Sequence, residues 1–271
     1  MEPLNIKLFV SDVDGTLLNA QKELTEATRK AIQHLRTAGI AISLISSRPP
    51  RGMKWLMDEL DLQHACAALN GGVVIDPHLN ILSAYPIRPA LTQEILGLIE
   101  SQGLAPWIYT EMNWYVSKLD AEHVHHEMAV VKFDPLLFET LADVDGPIIK
   151  ITGISDNNTL ILAAQDLLNR KFGERLSLSC SLSNRLEITH HDANKGSAIE
   201  AIGATIDISP DAIATAGDGE NDIGMFRRSC FSIAMGQAPV EVRRAASVTT
   251  TANSQDGLAW AIEEFFLKRH T

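Results

Sequence analysis

A short apolar run that ends in carboxylates and then gives way to a helical pattern occurs twice in this chain, and it constrains the fold more than any other feature. Residues 6–11 (IKLFVS) form the first run, and Asp12-Val13-Asp14-Gly15-Thr16 follows directly. Residues 213–216 form the second, followed by Gly217-Asp218-Gly219-Glu220-Asn221-Asp222. Continuous apolar runs of this length read as strands buried on both faces. Helical patterns alternate with them. Thr25 can cap a helix in which Ile32 and Leu35 share a face, and Gly39 is placed to stop it. Residues 40–46 are the next strand, 52–60 a helix and 66–69 another apolar run. Towards the other end, Ser209-Pro210-Asp211 reads as a helix start with proline in the first turn. Residues 221–226 read as a short helix, 231–235 and 247–250 as strands, and 257–267 as a closing helix. Such alternation predicts a parallel sheet covered by helices. In that architecture a ligand site lies outside the carboxyl ends of the strands, where both acidic motifs fall.

The middle of the chain has a different grammar. Between residues 85 and 189 the aromatic residues gather: Trp107, Tyr109, Trp114, Tyr115, Phe133 and Phe138. Residues 107–116 alternate in strand fashion, 147–153 and 176–183 also read as strands, and 92–101 and 159–172 as helices. This mixture predicts an α+β insertion within the first domain.

Composition narrows the function classes. With 271 residues, the chain is long enough to bury a full core. Lys plus Arg number 23 against 34 Asp plus Glu, a net charge of −11. That field repels nucleic acid and anionic lipid, so neither is an expected partner. An anionic substrate then needs local positive charge, including a bound cation. No run approaches a membrane span, and Met1-Glu2-Pro3-Leu4-Asn5 lacks the features of a signal peptide. Cys66, Cys180 and Cys230 are an odd number without close pairs, which fits thiols in a reducing cytoplasm.

Four constellations carry chemistry. Asp12 and Asp14 leave the first strand two residues apart, so both can face one site. Hard divalent cations prefer oxygen ligands. The pair also offers a carboxylate nucleophile beside a carboxyl that moves protons. Gly15 lets the backbone turn close to a ligand. The bland alternative is a solvated Asp-Gly turn, but the full run after an apolar strand favours a site. Ser46-Ser47-Arg48 follows the next strand. A hydroxyl and backbone N–H groups there can bind a phosphate oxygen; taken alone the triplet is more often an ordinary loop or cap, and it gains weight only from its place beside the first motif. Lys195-Gly196 opens a helix. A lysine at the positive end of a helix dipole calls for a negative partner, either a phosphate or the carboxylate of Asp12. The last is the loop with Asp218, Glu220, Asn221 and Asp222 around two glycines. It lacks the spacing of an EF-hand.

Taken in order, DxDGT, a serine after the second strand, Lys-Gly and GDxxND resemble the haloacid dehalogenase (HAD) superfamily, and more narrowly its Cof-type phosphatases with a type IIB cap. The resemblance runs the whole length and rests on DVDGTLL at 12–18, Asn70-Gly71-Gly72, Leu186-Glu187-Ile188 leading to Lys195-Gly196, and AGDGENDIGM at 216–225. It departs at the second motif, usually Thr-Gly-Arg and here Ser46-Ser47-Arg48, which keeps the hydroxyl and loses the glycine. It implies an α/β fold: a Rossmann-like core, residues 1–84 and 190–271, with a mainly parallel sheet flanked by helices, and an inserted α+β cap, residues 85–189. It implies Asp12 as nucleophile, Asp14 as acid and base, and Ser46, Ser47 and Lys195 as phosphate-binding residues. Mg²⁺ is expected on Asp12, Asp14 (through its backbone carbonyl), Asp218 and Asp222. The expected substrate rim comprises Asn70, Asn221, Arg48, Tyr109, Trp114 and Glu187. Trp107, Glu111, Asn113, Asn184 and Arg185 are further cap candidates. His123, His125, His126 and Glu127 read as a solvated cap helix, and His190 and His191 as the cap–core junction.

The activity expected from this resemblance is Mg²⁺-dependent removal of phosphate from a small phosphorylated metabolite, a sugar phosphate or phosphorylated cofactor, through an aspartyl-phosphate. Two alternatives stay open: a sugar phosphomutase using the same intermediate, and a module that binds a phosphometabolite without turnover.

Overall fold

The computed structural model describes residues 5–267. Met1–Leu4, the start of the N-terminus read above as leaderless, lie outside the described residues. The chain builds two sheets. The first takes β1 (Leu8–Asp12), β2 (Ala41–Ile45), β3 (Cys66–Ala68), β4 (Val73–Ile75) and β5 (Ile81–Ala84) from the start of the chain. The second takes β6 (Ala105–Thr110), β7 (Trp114–Val116), β8 (Leu136–Leu137), β9 (Ile148–Ile154), β10 (Leu176–Leu182) and β11 (Arg185–His190). The chain then returns to the first sheet with β12 (Ile213–Gly217), β13 (Phe231–Ala234) and β14 (Val248–Thr249).

The first sheet has the order β14-β13-β12-β1-β2-β3-β4-β5. Its strands pair in parallel from β14 to β3, and β4 and β5 close it as an antiparallel hairpin. That hairpin was not foreseen, because strands of three and four residues carry too little periodicity to register. β1 lies between β2 and β12, where the strand order reverses, and all five of its residues are buried. Helices α1 (Glu26–Thr37) and α2 (Pro50–Glu59) follow β1 and β2. Thr25 caps α1 by accepting from the Thr28 N–H at 3.2 Å, and Ala31, Ile32 and Leu35 form its buried face. Two expectations differ in detail. Ser209-Pro210-Asp211 starts only a 3-10 turn, Pro210–Ala212, because the chain enters β12 at Ile213. The closing helix is α-helical over Gly257–Ile262 and widens to a π-turn over Glu263–Leu267.

The second sheet has the order β10-β11-β9-β6-β7-β8. Residues 107–116, read as one strand, form the β6–β7 hairpin, closed by the Thr110 N–H donating to Asn113 O. One face of this cap sheet carries Ile108, Ile151, Leu186 and Ile188, packed with apolar residues of α3 (Pro89–Ser101) and α5 (Asn158–Phe172). Strand alternation puts Trp107, Tyr109, Lys150, Thr152, Arg185 and Glu187 on the opposite face. Helix α4 (Glu122–Val131) joins the cap to the core beside α2: Val131 packs against Gly52. Among the described residues, no helix is long and apolar enough to cross a membrane.

Candidate active site

Three adjacent parallel strands deliver the site. Asp12 is the last residue of β1, Ser46 follows β2, and Asp218 follows β12. The fourth contributor is α6 (Lys195–Ala204), which begins at Lys195 after Asn194 caps it. Lys195 is 2% exposed, and its Nζ donates to Asp12 Oδ1 at 2.5 Å and to Asp222 Oδ1 at 2.6 Å. The lysine at a helix start thus finds the carboxylate partner that its position called for. Burial pulls its pKa down, but Asp12 and Asp222 outweigh that and raise it, so Lys195 stays charged.

Asp12, Asp218 and Asp222 each place a carboxylate oxygen within 4.8 Å of the others. Burial lifts the Asp12 carboxyl well above its ordinary value; Lys195 opposes this, while Asp222 and Asp218 add to it. Burial and then the Asp222 charge lift Asp218 to about 6. Three carboxylates against one ammonium leave a surplus of negative charge among oxygen donors, which suits a divalent hard cation. The three do not contribute alike. Asp222 Oδ2 accepts from the backbone N–H groups of Asp218 and Gly219, both at 2.8 Å, and its Oδ1 is held by Lys195. Asp222 therefore braces the loop from behind. Asp218 is held more lightly, by Thr16 Oγ1 at 3.3 Å and Gln237 Nε2 at 3.4 Å. Gln237 also donates to Gly15 O at 2.6 Å.

The Asp14 carboxylate stands apart from this triplet. It accepts from Arg48 Nε at 2.7 Å, Arg48 Nη2 at 2.8 Å and Lys22 Nζ at 2.8 Å. Burial pushes its pKa up, yet Arg48 and Lys22 together outweigh burial and hold it at about 2. A role for Asp14 in metal binding accordingly falls to its backbone carbonyl. Arg48 is 3% exposed, and its Nη1 reaches Val130 O of the cap helix α4 at 2.9 Å. One guanidinium thus touches the acid/base candidate and the cap.

A cleft of about 280 Å³ opens over these groups, lined from the core by Asp12, Asp14, Lys22, Ser47, Arg48, Asp218 and Asn221, and from the cap by His126, Glu127, Val130 and Arg185. Arg185 Nη1 donates to Glu127 Oε2 at 2.6 Å, and its guanidinium stacks over Trp107. Ser46 is buried beneath this surface, its Oγ accepting from the Arg48 N–H at 3.1 Å. Asn70 is also buried and bridges Asn221 and Glu187.

Four rim expectations are corrected. Asn70, 5% exposed and bonded to Glu187 and Asn221, does not line the cleft. Tyr109 and Trp114 are 1% and 0% exposed, stacked on each other with ring centroids 6.1 Å apart in the layer packed between the cap sheet and the core. Glu187 is 3% exposed and engaged by Lys150 and Asn70. None of these three lines the cleft either. Alternation along a strand reveals two faces but not which one another layer covers. His126 and Glu127, read as a solvated helix face, do line the cleft. Glu111, Asn113, Asn184, His190 and His191 do not. Lys22, Lys150 and Gln237 were missed. Lys150 carried a signal, a lone charge in the apolar run PIIKITG; Lys22 and Gln237 carried none.

Known proteins give this geometry a context. Residues 9–262 match the family described as haloacid dehalogenase-like hydrolase. A Haemophilus influenzae protein, named as a candidate phosphatase, is 31% identical over 96% of this chain and 98% of its own. A Bacillus subtilis protein named as a 5-amino-6-(5-phospho-D-ribitylamino)uracil phosphatase is 23% identical over 98% of each chain. The solved structure of a HAD subclass IIB sugar phosphatase, BT4131, superposes with a TM-score of 0.84 at 20% identity, covering 96% of this chain and 98% of that one.

Proposed function

The chain belongs to the haloacid dehalogenase-like hydrolases, and on that premise we propose that it is a Mg²⁺-dependent phosphatase of small phosphorylated metabolites, acting through an aspartyl-phosphate on Asp12. The observation that carries this reading is the buried Asp12 carboxylate, clamped through Oδ1 by Lys195 and set among two further carboxylates. Two relatives are named for a sugar phosphate and a phosphoribityl compound, and substrates of that size suit the cleft.

Oδ2 of Asp12, the oxygen that Lys195 does not hold, is the nucleophile. It attacks phosphorus, the bond from phosphorus to the leaving oxygen breaks, and Asp14 delivers a proton to that oxygen. Water then attacks the aspartyl-phosphate, Asp14 takes its proton, and inorganic phosphate leaves with the Asp12 carboxylate restored. Arg48 and Lys22 keep Asp14 ionised before substrate arrives, so the proton it delivers is taken up from solvent as the phosphate ester binds and is returned to solvent when inorganic phosphate leaves. A phosphoryl dianion entering beside Asp14 works against those two cations and raises its proton affinity. Lys195, Ser46 and the N–H groups of the 46–48 loop take the non-bridging oxygens. Asp12, Asp218 and the Asp14 carbonyl would hold Mg²⁺, with Asp222 behind them. When bound, the ion offsets repulsion between the carboxylates and the phosphate.

Assay of the purified protein on p-nitrophenyl phosphate tests this. Nitrophenol release is expected with Mg²⁺, and its loss in EDTA and in Asp12→Asn. Turnover retained by Asp12→Asn overturns the nucleophile, and full activity in EDTA overturns the metal. Phosphorus NMR on a sugar phosphate distinguishes release of phosphate from its transfer within the sugar.

A further inference from the structure

Three consecutive carbonyls of the 46–48 loop are held from behind. Ser46 O accepts from the Asn70 N–H at 2.9 Å, Ser47 O from Lys150 Nζ at 2.8 Å, and Arg48 O from the Leu69 N–H at 2.9 Å. The outer two donors belong to one strained turn, in which Leu69, Asn70 and Gly71 have φ of +52°, +59° and +91°. A left-handed leucine is uncommon and persists only where its surroundings over-determine it. The middle donor comes from the cap. Lys150 lies in β9, is 3% exposed, and pairs with Glu187 Oε1 of β11 at 2.9 Å. Glu187 Oε2 accepts from Asn70 Nδ2 at 2.9 Å, and Asn70 Oδ1 accepts from Asn221 Nδ2 at 3.1 Å.

The connection therefore leaves the phosphate loop at Ser47, passes through two charged cap residues, returns through the strained turn, and ends in the loop that carries Asp218 and Asp222. Neither Lys150 nor Glu187 lines the cleft. A buried ion pair of this kind adds little net stability compared with apolar residues of the same volume, yet removing one partner strands the other's charge. Its geometric effect is what distinguishes it.

We propose that Lys150 and Glu187 are positioning residues: from the cap sheet they set the phosphate-binding loop 46–48 directly and the metal-binding loop 218–222 through Asn70. What those loops do rests on the phosphatase reading, whereas the coupling between them does not. Two variants test it. Asn70→Gly removes the amide relay while keeping a residue that adopts left-handed backbone freely. Lys150→Met with Glu187→Leu removes both charges together, so neither is stranded. Mg²⁺ affinity by calorimetry, amide hydrogen exchange of 46–48 and 218–222 without metal, and kcat and KM on two unlike phosphate esters are read for each.

Asn70→Gly is expected to weaken Mg²⁺ binding roughly three- to tenfold, the share of about one hydrogen bond, and to speed exchange in 218–222. The double variant is expected to speed exchange in 46–48 and to lower kcat by a similar factor on both esters. Mg²⁺ affinity and loop exchange unchanged in Asn70→Gly overturn the proposal, even if the double variant fails to fold. A double variant altered only in KM for one ester overturns it too, since that marks substrate contacts. If the wild type turns over no ester, the phosphatase reading falls, while exchange and calorimetry still decide the coupling.

Discussion

Replacing Asp218 by Asn should stabilise the metal-free protein and abolish its response to Mg²⁺. Burial, followed by the charge of Asp222, raises the Asp218 pKa from an ordinary 3.8 to about 6. As pH rises through 3.8 the unfolded chain releases this proton, while the folded chain keeps it until about 6. The folded state binds more protons in that window, so its stability falls as pH rises, and the whole penalty stands above pH 6. About 2 pH units at 1.36 kcal/mol each is ~3 kcal/mol. Asn is isosteric and can still accept from Thr16 Oγ1, at the risk of the weak bond from Gln237. Allowing about 1 kcal/mol for that bond leaves a gain of about 2 kcal/mol, or roughly 4–8 °C in Tm for a chain of this size. The assay is thermal unfolding at about pH 8, above the folded-state pKa, in EDTA and in Mg²⁺. At a hundredfold excess over its Kd, Mg²⁺ should stabilise the wild type by about 2.7 kcal/mol and the variant hardly at all. The gap in EDTA should close as pH falls from about 6 to 3.8. A variant that melts below the wild type in EDTA, or that gains equally from Mg²⁺, refutes the reasoning.

Gly15→Ala should destabilise the protein by more than about 1 kcal/mol and weaken Mg²⁺ binding, because φ is +95° there and a Cβ would overlap the Asp218 carboxylate; urea midpoints and Mg²⁺ titration check both. Lys195→Met should lower kcat about a hundred- to a thousandfold by removing a charge from the phosphoryl site, measured on p-nitrophenyl phosphate. Trp114→Ala should cost about 3–5 kcal/mol of stability and lower activity on all esters alike; a change confined to one ester would return Trp114 to the substrate rim.

What the sequence disclosed follows from the range of the interactions involved. Asp12 at the end of a buried strand, the Thr25 cap and the start of α6 at Lys195 are local, and periodicity with capping chemistry exposes them. Pairing Lys195 with Asp12, 183 positions away, was within reach because a buried or dipole-opposed charge must find its opposite. The roles of Tyr109, Trp114 and Glu187 were out of reach. Each lies on the cap face turned towards the core, and only the tertiary arrangement decides whether that face meets a cleft or a packed layer. Lys150 shows the same limit: a charge inside an apolar strand announces a buried partner, but not that the partner is Glu187 or that the ammonium also reaches Ser47 O.

Arg48 is where core chemistry and cap placement meet in one side chain. Its Nε and Nη2 grip the Asp14 carboxylate while Nη1 holds Val130 O at the end of α4. A lysine has one point charge and no planar fork, so Arg48→Lys cannot serve both partners. The lysine keeps a positive charge near Asp14 but loses the two-pronged hydrogen bond, the larger of Arg48's two effects, so the Asp14 pKa should rise from about 2. In the mechanism proposed above, hydrolysis of the aspartyl-phosphate needs Asp14 ionised, so its rate should fall as pH drops through that pKa. The acid limb of single-turnover dephosphorylation should therefore move to higher pH in Arg48→Lys. The lost bond to Val130 should also speed amide exchange at the end of α4. An acid limb that stays in place, with exchange at α4 unchanged, would mean that Arg48 fills space between cap and core and that Asp14 is set by Lys22 and solvent alone.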